Sequence, residues 1–158
     1  MYQRILVPVD GSPTSSKGLQ QAIALAKLTG GRIRVLHVVD DLPVLIGSES
    51  YGALVGEVLD ALRDAGEKIL AESVAAIRAA GVDADSALFD SLQGRLCDRV
   101  AHEVQEWKAD LIVLGTHGRR GVRRLVLGSD AEQVLRTSTV PVLLVHGDEP
   151  TSGGRSQV

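Results

Sequence analysis

A chain of 158 residues has the length of one domain and buries about 68 to 70% of the surface its unfolded form exposes, so it needs no covalent staples. Its single cysteine, Cys97, rules out an intramolecular disulfide and fits a reducing compartment. A net charge of −3, a pI near 5.8 and 3% aromatic residues argue against nucleic acid as a partner, which needs a basic face and stacking platforms.

The start, MYQRILVPVD, carries no basic segment ahead of a long apolar core, and no apolar run reaches the ~18 to 20 residues of a membrane span, so the expectation is a cytoplasmic protein that enters no membrane. Ile5 to Val9 is predicted as a buried strand. Asp10-Gly11-Ser12-Pro13 is a turn in which Ser12 can cap a helix and Pro13 can take its first position. Leu19, Ile23 and Ala26 then recur at helical spacing until Gly30-Gly31. Ile33 to Val39 is the second strand, expected parallel to the first. Asp40 to Gly52 is a loop with apolar Val44, Leu45 and Ile46, either a surface insert or a lid over a ligand. Val55, Leu59, Leu62, Ile69 and Ile77 predict a long helix ending at Gly81; its Gly66 has no local rationale and marks close packing or a kink. Val82 to Phe89 is the third strand, and Leu96, Val100, Val104 and Trp107 form the apolar stripe of the next helix.

Leu111 to Leu114 has the branched, apolar pattern of a strand covered on both faces. It stops at Gly115-Thr116-His117-Gly118, and nine residues later Gly128-Ser129 open a helical pattern carrying Val134 and Leu135. Glycines let the backbone approach a ligand and take positive φ, so their N–H groups can form an anion nest. Ser129, at a helix start, could cap it and lend its hydroxyl to a phosphate at the positive end of the dipole. Val140 to Val145 is the fifth strand, and the polar tail 147–158 is expected to be disordered, leaving one domain over 1–146.

This glycine spacing, with VPVDGS at the first strand and PVLLV at the last, resembles the ATP-binding branch of the universal stress protein family, over nearly the whole chain from Tyr2 to about His146. The alternation of strands and helices implies one α/β domain with a mostly parallel sheet. The resemblance adds a Rossmann-like three-layer sandwich, akin to the adenine nucleotide alpha hydrolases, with strand order 3-2-1-4-5. A ligand crevice then lies where the order reverses, between the strands followed by Asp10 and Gly115. The resemblance implies an adenine nucleotide there, ATP or else ADP or AMP, with Mg²⁺ as an optional companion. Asp10 would contact the nucleoside, Pro8 and Val9 line the same edge, and the Val38 backbone read adenine. Leu114, Gly115, His117, Gly118, Gly128 and Ser129 would meet ribose and phosphate. Arg119 lies with Arg120, Arg123 and Arg124 in the spacer, where arginine can pair with phosphate although such runs more often form solvated faces. Asp130 stands where many relatives carry a neutral valine or threonine, and its charge would oppose a phosphate chain unless Mg²⁺ bridges them.

No catalytic group is expected. His117 has no nucleophile or carboxylate at a fixed offset, and His37, His102 and His146 are scattered without metal-ligand spacing. Cys97 reads as a small core or boundary residue and not as a nucleophile. GSPTSSKG, from Gly11 to Gly18, has the outline of a Walker A loop but carries Ser16 for its second glycine and Gly18 for its hydroxyl residue; no GxGxxG follows either central strand. A nucleotide-binding regulatory module is therefore the leading expectation. The alternatives are a slow ATPase or adenylating enzyme, and an interaction protein whose site binds no nucleotide. The uncharged edge strand, Val140 to Val145 with Pro141 near its start, is undefended and points to a homodimer, as in the resembling family.

Overall fold

The computed structural model describes residues 1–40, 52–90, 94–116 and 127–147. Five strands form one parallel sheet: β1 (Arg4–Pro8), β2 (Arg32–Val39), β3 (Ala84–Asp90), β4 (Leu111–Gly115) and β5 (Val142–Val145). Their order is β3-β2-β1-β4-β5, as expected. The helices among the described residues are α1 (Pro13–Thr29), α2 (Gly52–Ala79), α3 (Leu96–Glu106) and α4 (Ser129–Thr137). None is long and apolar enough to cross a membrane.

Period-two alternation sorts the central strands into two cores. Ile5 and Val7 of β1, Ile33 and Val35 of β2, and Leu111 and Val113 of β4 pack with Leu19, Ala22 and Ala26 of α1 and Leu70 and Ile77 of α2. Leu6, Leu36, Ile112 and Leu114 face the other way, onto Val100 and Val104 of α3 and Ala131 and Val134 of α4. Covered on both faces, these strands must read as continuous apolar runs. Each large side chain so buried contributes about 1.5 to 3 kcal/mol.

The helix signals hold at α1. Ser12 is extended and its Oγ accepts from the Ser15 N–H at 3.1 Å, Pro13 takes the first turn, and Gly30 closes the helix at φ 68° with its N–H on the Ala26 carbonyl. Several strand boundaries differ from expectation. β3 begins at Ala84 because Val82 donates its N–H to the Ile77 carbonyl and so belongs to the turn that ends α2. β5 begins at Val142 because the Ser138 hydroxyl donates to the Val140 carbonyl and accepts from the Val140 N–H, folding that residue into a turn before Pro141. β1 ends at Pro8, and Val9 is held beyond it by an N–H bond to the Leu36 carbonyl at 2.8 Å.

Trp107 closes α3 as its C-cap and, as expected, packs with Leu96, Val100 and Val104 against one core. Its ring lies beneath Arg34 (4.9 Å) and Arg32 (5.7 Å), a cation platform. Arg34 forks from there to Asp85 of β3 (2.7 and 2.9 Å) and to buried Glu103 of α3 (2.8 Å), and Arg32 reaches the same Asp85 at 3.1 Å. Gly66 is explained by packing: a Cβ there would lie 2.8 Å from Cδ2 of His37 and 3.1 Å from Leu88. The choice between insert and lid for 41–51 and the state of the tail from 148 lie outside the described residues.

Candidate functional site

The order reverses at β1, whose neighbours are β2 and β4, so a crevice opens beyond the carboxyl ends of β1 and β4. At the first end stand Pro8, Val9 and Asp10. The Asp10 carboxylate accepts the Ser12 N–H at 2.9 Å, and Gly11 takes φ 77°, a left-handed turn open to glycine. Asp10 thus orders the turn into α1 and stands half-buried at the strand end.

At the second end Gly115 is fixed by packing. A Cβ there would meet the carbonyl carbon and oxygen of Thr14 at 2.9 Å, so α1 could not seat its first turn on β4. Among the described residues positive-φ glycines are Gly11, Gly30, Gly81 and Gly94; Gly115 does not supply the left-handed conformation of a nest. Leu114 is buried in the core facing α3 and α4 and offers the crevice no side chain. His117, Gly118 and Arg119 lie outside the described residues.

Thr116, which sequence reasoning did not single out, joins the two halves of the glycine motif. Buried at the end of β4, it donates its N–H to the Val145 carbonyl at 3.0 Å and accepts the Gly128 N–H at 3.0 Å. Gly128 and Ser129 are thereby held one residue past the strand, at the mouth of the crevice. Gly128 itself is the N-cap of α4 and Ser129 its first helical residue, so the expectation that Ser129 caps the helix is not met. A glycine cap has no side-chain oxygen, and α4, unlike α1, has no side-chain cap on its first-turn N–H groups. Those N–H groups and the exposed Ser129 hydroxyl form a donor set for an anion.

Gly128 also sits at φ −58° and ψ 147°, a conformation any residue adopts, and among the described residues an added Cβ would meet just the Thr116 carbonyl oxygen, at 3.5 Å. Nothing among the described residues requires glycine there. Asp130 is exposed in the same first turn. Val38, half-buried in β2 and paired with Phe89, reaches the same end of the sheet one strand over.

Other candidates separate from this crevice. The Walker-like stretch is broken by the start of α1 at Pro13, so it is a capped helix and not a phosphate loop. Cys97 lies between α3 and α4 with Sγ 3.3 Å from the Gln133 amide oxygen; burial, reinforced by Asp98, pushes its thiol above the usual range and away from the thiolate. No group of histidine, cysteine and carboxylate residues among those described could hold a metal. A cleft of about 330 Å³ between Ala26–Gly31 and Gly81–Asp83, and one of about 110 Å³ between α3 and α4, contain none of the expected site residues.

Residues 1–146 match the model of the universal stress protein family. The chain is 34% identical to a universal stress protein of Thermus aquaticus, over 92% of this chain and 100% of the relative. It is 32% identical to the universal stress protein MJ0531 of Methanocaldococcus jannaschii, over 92% and 82% of the two chains. Among solved structures its fold matches hypothetical protein MJ0577 with a TM-score of 0.80 at 23% identity, covering 94% of this chain and 99% of the other. It also matches a universal stress protein in complex with cAMP, with a TM-score of 0.64, 25% identity and coverage of 92% and 97%. A universal stress protein of Archaeoglobus fulgidus in complex with dAMP matches with a TM-score of 0.64 at 23% identity, covering 91% and 98%.

Proposed function

The chain belongs to the universal stress protein family, and from that premise we propose that it is a regulatory module that binds an adenine nucleotide, ATP or its di- or monophosphate, in the crevice between β1 and β4. The observation that carries this reading is the N-terminus of α4, which no side chain caps and whose N-cap, Gly128, is a glycine that nothing among the described residues requires. Phosphate would take the first-turn N–H groups and the Ser129 hydroxyl, Asp10 would meet the nucleoside, and the Val38 backbone would meet the base. Family structures in complex with cAMP and dAMP support the adenine choice. Asp130 favours the helix dipole and opposes bare phosphate, so Mg²⁺ should tighten triphosphate binding more than monophosphate binding.

The proposed output is a change of conformation or partner on binding, not turnover. The lone cysteine fits a cytoplasmic protein, and the edge position of β5 supports assembly of two chains through that strand. Titration calorimetry with ATP, ADP and AMP tests the central reading, with saturable binding expected. Phosphate release from ATP should stay far below the ~1 to 10³ s⁻¹ of ordinary enzymes, and turnover within that range would make the protein an enzyme.

A further inference from the structure

The β1–β2 ladder ends on an unusual rung. Val9 donates its N–H to the Leu36 carbonyl at 2.8 Å, and in a parallel ladder the next rung would bring the Val38 N–H to the Val9 carbonyl. Instead the imidazole Nδ1 of His37 meets that carbonyl at 2.7 Å. A carbonyl only accepts, so Nδ1 carries the proton and donates. His37 is buried, 6% exposed, and its ring occupies the notch left by Gly66 of α2, where a Cβ would stand 2.8 Å from Cδ2 and 3.2 Å from Nε2. The glycine, the histidine and the strand end form one unit.

The backbone groups of Val38 point the same way as those of Leu36, toward β1 and the crevice mouth. The His37 ring stands on the side of the Val9 carbonyl where the next rung would form, and no backbone bond between Val9 and Val38 accompanies it, so the Val38 N–H and C=O are left for something else to use. Adenine presents an exocyclic amine donor beside a ring-nitrogen acceptor, the complement of one residue's C=O and N–H. Guanine presents the two functions in the reverse order.

We propose that His37 is the residue that sets base specificity: seated in the Gly66 notch, it takes the Val9 carbonyl and so reserves the Val38 backbone edge for adenine. This inference rests on the nucleotide reading above and deepens it. His37 is a positioning residue; it acts through Val9 and Val38.

Titration calorimetry of the full chain with ATP and GTP tests it, using wild type, His37→Leu, His37→Asn and Gly66→Ala. The wild type should prefer ATP. His37→Leu, which frees the Val9 carbonyl to take the Val38 N–H, should lower that preference about tenfold, the worth of one neutral hydrogen bond. His37→Asn, whose amide nitrogen sits where Nδ1 sits, should restore it. Gly66→Ala, which pushes the ring off its seat without touching the crevice, should lower the preference as His37→Leu does, and it reports on the same point if the leucine variant fails to fold. An unchanged ATP-to-GTP ratio in the folded variants would overturn the proposal, as would a loss equal for both nucleotides, the mark of a merely structural histidine. A wild type that binds ATP and GTP equally would overturn the specificity role alone, whereas one that binds neither would overturn the nucleotide reading itself.

Discussion

Two glycines of one motif carry different burdens. Gly115 admits no Cβ because the Thr14 backbone is 2.9 Å away and cannot swing aside as a flexible side chain would. Gly115→Ala should therefore cost about 1 to 3 kcal/mol in chemical denaturation, whether or not ligand is present. Among the described residues Gly128 faces the Thr116 carbonyl oxygen alone, at an ordinary contact distance of 3.5 Å. Gly128→Val should leave the melting temperature of the unliganded protein nearly unchanged and abolish nucleotide binding, because its branches fill the space over the α4 N-terminus. A variant that melts early and still binds would reverse the two assignments. The spacing of the motif was legible in the sequence, but this division of labour was not. Which glycine is pressed by a neighbour depends on Thr14, a residue about a hundred positions away in the chain. Gly66 was unexplained for the same reason, since its partner His37 lies on another element.

At the scale of elements, periodicity and caps located the strands and helices, while the ends moved wherever a side chain or a turn captured the backbone. Ser138 delays β5 and the Val82 N–H delays β3, and neither contact leaves a periodic trace. The ion network beneath the sheet was also invisible, because β2, β3 and α3 supply it jointly. Burial of Asp85 opposes its ionisation, yet the hydrogen bond and charge of Arg34 outweigh burial and hold the carboxyl below its usual range. A lowered folded-state value means that the unfolded chain takes up a proton first as pH falls. The stability Asp85 contributes is thus fully present above the ordinary aspartate value of about 3.9 and is lost as pH drops through the lower folded value. Asp85→Asn should be less stable than wild type at neutral pH, and the gap should close in denaturation curves taken below about pH 4. Arg34→Leu should be worse at neutral pH, costing about 3 to 5 kcal/mol, since it leaves Glu103 buried beside a lost cation.

For the whole molecule, the order β3-β2-β1-β4-β5 leaves β5 at an edge with Leu143 37% exposed and no charge along Val142–Val145. Unpaired strand N–H and C=O groups invite a partner, and on the proposed reading an antiparallel meeting of two copies would close the assembly. Light scattering should give about twice the 16.7 kDa chain mass, and Leu143→Lys should shift it toward the monomer. The parallel, covered sheet could be read from the apolar runs, whereas its strand order came from resemblance, because composition does not encode which strands are neighbours. That order matters functionally: it brings Asp10, Gly115, Gly128 and Ser129 to one end of the sheet. The most direct measurement of this central claim is native mass spectrometry of the full chain purified gently, then exposed to ATP, ADP and AMP. The account predicts one adenine nucleotide per chain, retained from the cell or taken up on exposure, and absent from Gly128→Val. A folded wild-type chain that remains bare at millimolar nucleotide would contradict it.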